Sequence, residues 1–427
     1  MKNAIVIGAG AGGCAAAREL VGLGWHVALV ERGSEFKPFA YQLKTFEPLR
    51  QAGLFVDTRM IQAVFGDMRI DKMDSMPLVR GRGIGGTTHL ATANALRYDD
   101  DLKALGIDLD DEFDELADLV PQCTNHQRRW SDLTRQTFEA FEAEGFDPRV
   151  MPKMVDEDRC VACGKCVLGC KLGAKWTADK LLEGLDQSLV DVMESCTVTK
   201  LTCENNHVTG VVCRQGLRTV TLDADLVLLA AGGVGTPKIL DRSGIPSKPT
   251  FFVDPVLCVA APWENARFDS EIPMPFASQR DGYILSPYFD FLSFFFDKKW
   301  RAPSKDIFSL MIKFADDEVG SVTARTVSKP LTDHDYETMA RAVDDCRRIM
   351  GRLGIRESDT FYGMLNAGHP GGAYPLTQAE AETLHHQELP DNLYLADSTL
   401  FNASMGNPPI LTIMALAKKV AKTAAAR

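Results

Sequence analysis

The sequence predicts an α/β protein built on a Rossmann-like parallel sheet, and three observations carry that prediction. The first is a glycine-rich turn, Gly8-Ala9-Gly10-Ala11-Gly12-Gly13, set between a short apolar strand, Asn3–Ile7, and a helix of small residues over Ala15–Leu23. A second strand, Trp25–Val30, follows and ends at Glu31, completing a βαβ unit of about thirty residues. The second observation is a repeat of this grammar: the apolar run Ala224–Ala231 leads into Gly232-Gly233-Val234-Gly235-Thr236-Pro237 and a helix containing Leu240. The third is a late strand, Asn392-Leu393-Tyr394-Leu395-Ala396-Asp397, which again ends in an acid. Short apolar runs of this kind suit strands buried on both faces.

The other elements follow in chain order. Ten acids fall between Tyr98 and Asp118, with Leu109, Phe113, Leu116 and Leu119–Val120 among them at helical spacing; this reads as the solvated face of a surface helix. Thr197–Leu201 and Val208–Arg214 read as paired strands with Glu204–His207 as their turn. Tyr283–Trp300 is rich in aromatics, which suits either an apolar pocket or a sheet packed on a core. Asp335–Leu353 and Thr412–Ala425 read as helices.

Composition sets the outer bounds. The chain has 427 residues, a formal net charge of −11, 45% hydrophobic and 25% charged residues. That is globular composition, long enough for two or three domains, and it excludes a disordered chain. The acidic balance argues against a nucleic-acid or anionic-membrane partner. No apolar run is long enough to span a bilayer, and the start MKNAIVIG reads as a strand rather than a signal peptide. A reducing cytoplasm is the expected location, where eleven cysteines point to metal or redox chemistry before disulfides.

The glycine turn has a specific chemistry. Gly8 permits the tight turn, Gly10 lets the backbone approach a pyrophosphate, and Gly13 allows close helix–strand packing. The helix N-terminus presents free N–H groups to the anion, and Glu31, 18 residues after Gly13, is placed to accept from a ribose hydroxyl. Strand, helix and acid in one register predict dinucleotide binding. FAD is favoured over NAD by the position of the motif early in the chain and by the late strand ending at Asp397. Beyond that strand, Pro408-Pro409-Ile410-Leu411-Thr412 begins a helix whose N-terminus can face the flavin pyrimidine.

The motifs extend further. Gly85-Gly86-Thr87-Thr88 runs on to Arg97, Ala230–Ile245 reads AAGGVGTPKILDRSGI, His369-Pro370-Gly371-Gly372 stands alone, and Asn392–Ala417 reads NLYLADSTLFNASMGNPPILTIMALA. With Gly8–Glu31, these five pieces, in this order, resemble the glucose–methanol–choline (GMC) family of FAD-dependent oxidoreductases over nearly the whole chain. The resemblance implies that Gly8, Gly10, Gly13 and Glu31 bind the ADP half of FAD. It implies that Gly85, Gly86 and Thr87 form the loop passing the flavin ring and pyrophosphate, and that Asp397 is the late FAD-binding acid. It places His369 at the family's catalytic histidine. Two positions depart from the pattern: Ala91 stands where an asparagine is common, and Pro408 occupies the slot of the second catalytic residue, with Asn407 one residue early. Asn407 is the candidate to orient the substrate hydroxyl or steady alkoxide charge.

The implied reaction is oxidation of a CH–OH group in a small-molecule alcohol, with His369 as base and flavin N5 as hydride acceptor. The implied fold is a discontinuous FAD-binding domain of residues 1–125, 185–250 and 369–427, with an antiparallel-sheet substrate domain of residues 251–368. His89, His385 and His386 have no such setting and read as structural.

Residues 150–184 form a separate cysteine-rich insertion. Cys160-x-x-Cys163-x-x-Cys166-x-x-x-Cys170 has the spacing of bacterial ferredoxin runs. Three readings are open: a [4Fe–4S] cluster relaying electrons to an external acceptor protein, a four-thiolate zinc site, or a metal-free loop followed by Gly173-Ala174-Lys175. Lys171 stands where a proline follows the run in two-cluster ferredoxins. The fourth ligand is therefore Cys170 or a remote cysteine: Cys123, Cys196, Cys203, Cys213, Cys258 or Cys346. With a cluster, the same site also suits a reductase of a C=C or C=O bond, or a flavin–cluster electron carrier.

Overall fold

Five short strands lie parallel in one sheet, in the order Leu393–Leu395, Leu226–Leu229, Asn3–Ile7, His26–Val30 and Val190–Met193. The computed structural model describes residues 2–52, 62 and 65–427. The central strands are buried as their unbroken apolar sequences require, since helices cover a parallel sheet on its faces. The helix Ala11–Gly22 packs against the sheet and against the late helix Ile410–Ala425. Sequence widely separated along the chain thus meets at one sheet end, where Ile7, Val30, Leu229 and Leu395 finish side by side.

The first helix starts at Ala11, four residues before the expected Ala15, so Gly12 and Gly13 lie in its first turn. Contact explains both glycines. A Cβ on Gly12 would sit 1.9 Å from the Ala396 carbonyl oxygen, and one on Gly13 would sit 1.7 Å from that of Gly8.

A three-stranded meander, Cys196–Glu204, His207–Gln215 and Arg218–Asp223, branches from this layer. Its first turn holds Asn205 and Asn206 at φ 50° and 61°, the left-handed pair that a tight hairpin demands. A second layer is a six-stranded antiparallel sheet in the order Phe361–Tyr362, Val256–Pro262, Ile307–Phe314, Tyr283–Pro287, Phe276–Arg280 and Arg149–Val150. The helix Asp333–Arg352 packs on it, started by a Thr332/Asp335 capping box.

Of two further sequence readings, the structure changes one and resolves the other. The acidic stretch forms two helices, Asp100–Ala104 and Asp110–Ala117, and the second is not simply a solvated face. Glu112 is buried against Lys419 and Lys422, and Glu115 pairs with Lys418 and Lys422, tying this helix to Ile410–Ala425. In the aromatic stretch, Phe289, Phe294 and Trp300 are core, while Tyr288, Phe291 and Phe295 also line a cavity. Among the described residues, no helix is long and apolar enough to cross a membrane.

Candidate functional site

A cavity of about 380 Å³ runs from the end of the parallel sheet to the antiparallel sheet. At its sheet end it is walled by Gly8, Gly10, Glu31, Gly86, Thr87 and Asp397. Gly8 takes φ 100° and Gly86 φ 56°, conformations that favour glycine. A Cβ on Gly10 would meet nothing within 4 Å, so this position opens onto the cavity and leaves room for a ligand at the helix N-terminus. Gly13 and Gly85 stand behind the wall. Gly13 serves helix packing, and Gly85 donates its N–H to the Ala9 carbonyl at 2.7 Å, joining the two glycine loops.

The two strand-end acids are held firmly. Glu31 accepts from the backbone N–H groups of Ala9 (3.1 Å), Gly33 (2.8 Å) and Gly83 (3.3 Å). Asp397 accepts from Gly232 N–H at 2.8 Å, Thr236 Oγ1 and the N–H and hydroxyl of Thr399. Burial raises the Asp397 carboxyl above its ordinary range. Thr87 Oγ1 accepts from Gly81 N–H at 3.1 Å.

His369 lines the same cavity at its far end, with 27% of its side chain exposed. Burial, reinforced by the Lys313 ammonium and opposed by the Asp254 carboxylate, pushes the imidazole down to about 3. The ring is therefore neutral at pH 7. Its Nδ1 has no hydrogen-bond partner among the described residues and lies 4.0 Å from Asp254 Oδ2. Lys313, on the strand Ile307–Phe314, is buried and ion-paired to Asp254 Oδ2. Asn407 does not line the cavity. It is buried, its amide donates to the Met405 carbonyl at 3.2 Å, and its own carbonyl accepts from Lys313 at 2.9 Å. The structure thus brings Pro408 and Pro409 to the wall and turns the Asn407 amide away.

The sequence reading missed Asp254 and Lys313. Their signal was available: each is a lone charge inside an otherwise apolar strand or strand edge, FFVDPVLCV and IFSLMIKF.

A second cavity, about 390 Å³, is lined by Cys160, Cys163, Cys166 and Cys170 together, and by no other cysteine. The loop carrying them has little regular structure beyond the turn Cys166–Leu168. It docks through Gly164, where a Cβ would lie 2.7 Å from the Glu271 carbonyl oxygen, and through Gly169, where one would lie 2.9 Å from Pro38 Cα. Among the described residues, the sole set of three or more acidic, histidine or cysteine ligand atoms within 4.8 Å of one another is Asp317, His334 and Asp335, so the four thiols stand wider apart. His126 also reaches this cavity, but both ring nitrogens are engaged, by the Met151 carbonyl and Trp130 Nε1.

Lys153, Lys165, Lys171 and Lys175 line the cysteine cavity. Burial pushes Lys153 down to about 7 and Lys175 to about 8, opposed by nearby thiols, and pushes the Cys166 thiol up to about 11. Lys175 spans the two sites: its Nζ donates to the carbonyls of Thr88 (3.0 Å), His89 (2.6 Å) and Ala91 (3.1 Å) on the glycine-loop side and to that of Cys166 (2.8 Å). Thr92 and Leu168 belong to the walls of both cavities.

Residues 3–257 match the sequence model of GMC oxidoreductases. An uncharacterized protein, MJ1450, of Methanocaldococcus jannaschii is 28% identical over 347 residues, covering 79% of this chain and 85% of that one. Long-chain-alcohol oxidase FAO4A of Arabidopsis thaliana is 20% identical over 515 aligned positions, covering 97% of this chain and 67% of that protein. The crystal structure of pyridoxine 4-oxidase from Mesorbium loti superposes with a TM-score of 0.72 at 16% identity and covers 99% of both chains, a likeness of fold.

Proposed function

The chain belongs to the GMC oxidoreductase family, and from that premise we propose that it is an FAD-dependent enzyme that oxidises the CH–OH group of a small alcohol and passes electrons on through a [4Fe–4S] cluster. The observation that carries the reading is the continuity of one cavity from Gly10 and Glu31 to His369. The relative FAO4A bears a name that specifies long-chain alcohols, which supports the donor class.

FAD suits the residues present. Gly10 leaves room beside the N-terminus of Ala11–Gly22, Gly86 and Thr87 border the cavity, and Pro409–Ile410 bring the start of the last helix to it. Bound there, FAD supplies the two-electron acceptor for the substrate C–H bond. The protein's part is acid–base and positional. Neutral His369 takes the hydroxyl proton, and apolar groups such as Tyr288, Phe291 and Met311 exclude water from the reacting carbon. In this reading residues 1–125, 185–250 and 369–427 form the flavin domain, 251–368 the substrate domain and 150–184 the cluster insertion.

The cysteine cavity suits a cluster better than zinc. A tetrahedral zinc with bonds of about 2.3 Å needs sulfurs about 3.8 Å apart; these stand wider, around a void. Cys170 shares that void and every remote cysteine lies outside it, which supports Cys170 as fourth ligand. A cluster there supplies a one-electron outlet to an external acceptor protein. Lys153, Lys165, Lys171 and Lys175 offset thiolate charge, and the shared Thr92–Leu168 wall keeps the two redox sites one residue layer apart.

The test is the visible spectrum, iron and sulfide content of anaerobically purified protein. Flavin absorbance with about four irons and four sulfides per chain is expected. Absence of flavin defeats the enzyme reading; flavin without iron defeats the relay.

A further inference from the structure

Within the proposed alcohol oxidation, we propose that Lys313 is a catalytic residue that donates a hydrogen bond to the substrate oxygen, and that Asp254 positions both Lys313 and His369. The inference rests on the functional reading above and deepens it.

A lysine ammonium carries three N–H donors. Lys313 is 2% exposed, and two of its protons are committed, one to Asp254 Oδ2 and one to the Asn407 carbonyl at 2.9 Å. The third has no acceptor among the described residues, and Lys313 borders the cavity that His369 also lines. A substrate hydroxyl within reach of His369 completes the set. As the O–H bond breaks, its proton goes to His369 Nε2 and negative charge grows on oxygen; Lys313 stabilises that charge and transfers no proton itself.

Asp254 is built for the second role. It sits at φ 48°, a left-handed backbone that non-glycine residues seldom hold without a local reason. Its Oδ1 accepts from Ser404 Oγ and from Gly406 N–H at 3.1 Å, and its Oδ2 takes Lys313. The same Oδ2 lies 4.0 Å from the unpartnered Nδ1 of His369. A small ring movement on substrate binding gives Nδ1–H an acceptor, which fixes the tautomer that leaves Nε2 free as base. The charged groups around the imidazole are Asp254 and Lys313, backed by Asp316 and Lys329, which pair at 3.1 Å. The family's second catalytic slot holds Pro408 and the Asn407 amide faces Met405. Lys313 therefore supplies the polar contact to substrate oxygen that neither residue offers.

The test uses the full-length holoenzyme, Lys313→Met, and the double variant Asp254→Asn/Lys313→Met, which leaves no unpaired buried charge and so separates folding from function. Flavin content is measured first. Binding of 2,2,2-trifluoroethanol, an alcohol too electron-poor to give up its C–H pair, is then followed through the flavin absorbance. Flavin bleaching is followed against pH with benzyl alcohol, a long-chain primary alcohol and pyridoxine. Wild type is expected to bind trifluoroethanol saturably. Both variants should keep FAD and bind at least about tenfold more weakly, the scale of a hydrogen bond from a charged donor. In Lys313→Met the acid limb of bleaching should move to higher pH, because the ammonium that helps hold the imidazole down is gone while its burial remains. The inference is overturned if wild type shows no saturable binding, or if trifluoroethanol binding by the variants stays within twofold of wild type and the limb does not move. If Lys313→Met fails to fold, the double variant decides. Wild type that carries FAD but is bleached by none of the alcohols instead defeats the parent reading, and this inference falls with it.

Discussion

The two cavities are nearly equal in volume, about 380 and 390 Å³, and share a wall at Thr92 and Leu168, yet they are made in opposite ways. The first is shaped by backbone: glycines at Gly8, Gly10 and Gly86, strand ends, and helix N-termini. Its side chains Glu31 and Asp397 are spent largely on backbone N–H groups. The second is shaped by side chains on a loop of little regular structure, four thiols ringed by four lysines. Backbone sites tolerate few substitutions but need no charge compensation; side-chain sites depend on charge balance. Buried Lys175, gripping carbonyls on both sides, is the joint between the two designs.

That contrast can be broken experimentally, and the all-or-none effects come first. Cys166→Ser should abolish iron binding, read by metal analysis, while flavin content stays at the wild-type level; parallel loss of FAD would show that the sites are not separable. On the other side of the wall, Gly10→Val should empty the flavin cavity by filling it, with a cooperative melting transition retained. Gly13→Ala should instead fail to fold stably, because its Cβ collides with the Gly8 carbonyl at 1.7 Å. Calorimetry beside flavin absorbance distinguishes these two glycine effects.

A smaller but still large effect belongs to His369, the proposed base. His369→Ala should slow alcohol-driven flavin bleaching by about 10²–10⁴-fold, the range for a lost general base, and leave iron content unchanged. The smallest effect is on stability. The folded imidazole sits near 3, below its unfolded value of about 6.5, so the unfolded chain binds more protons between those values. Stability from this group is full above about pH 6.5 and falls as pH is lowered toward 3. Denaturant titrations at pH 7 and pH 5 should show a smaller drop for His369→Gln than for wild type.

How much was legible in the sequence follows the same division. Most of the parallel sheet could be read because its central strands are apolar on both faces and their turns announce themselves with glycine; the edge strand Val190–Met193, exposed at Asp191 and Val192, carried no such signal. Glu31 and Asp397 could be read because a strand end places its last acid at the same sheet edge every time. The antiparallel sheet was legible only through family resemblance, since Val256–Pro262, buried up to Ala261, and Ile307–Phe314, buried throughout, show no alternation. Ten acids in a short stretch suggested a solvated face, and only the approach of Lys418, Lys419 and Lys422 from the far end of the chain turned part of it inward. Asn407 shows the limit at a single residue: its neighbour in sequence reaches the cavity, and a backbone carbonyl captures its amide.

The sequence by itself determined the first glycine turn, the strand-end acids, the position of His369 beside its glycines and the spacing of four cysteines, because each is a local pattern whose geometry is set within a few residues. Only the tertiary structure decided what those patterns face. It set Lys313 and Asp254 against His369, across strands that begin more than fifty residues apart, and gathered four thiols without a fifth. It also laid the two cavities on one wall at Thr92 and Leu168. The physical reason is that charge pairing and shared walls depend on distance in space, which packing of the two sheets creates and chain order does not encode locally.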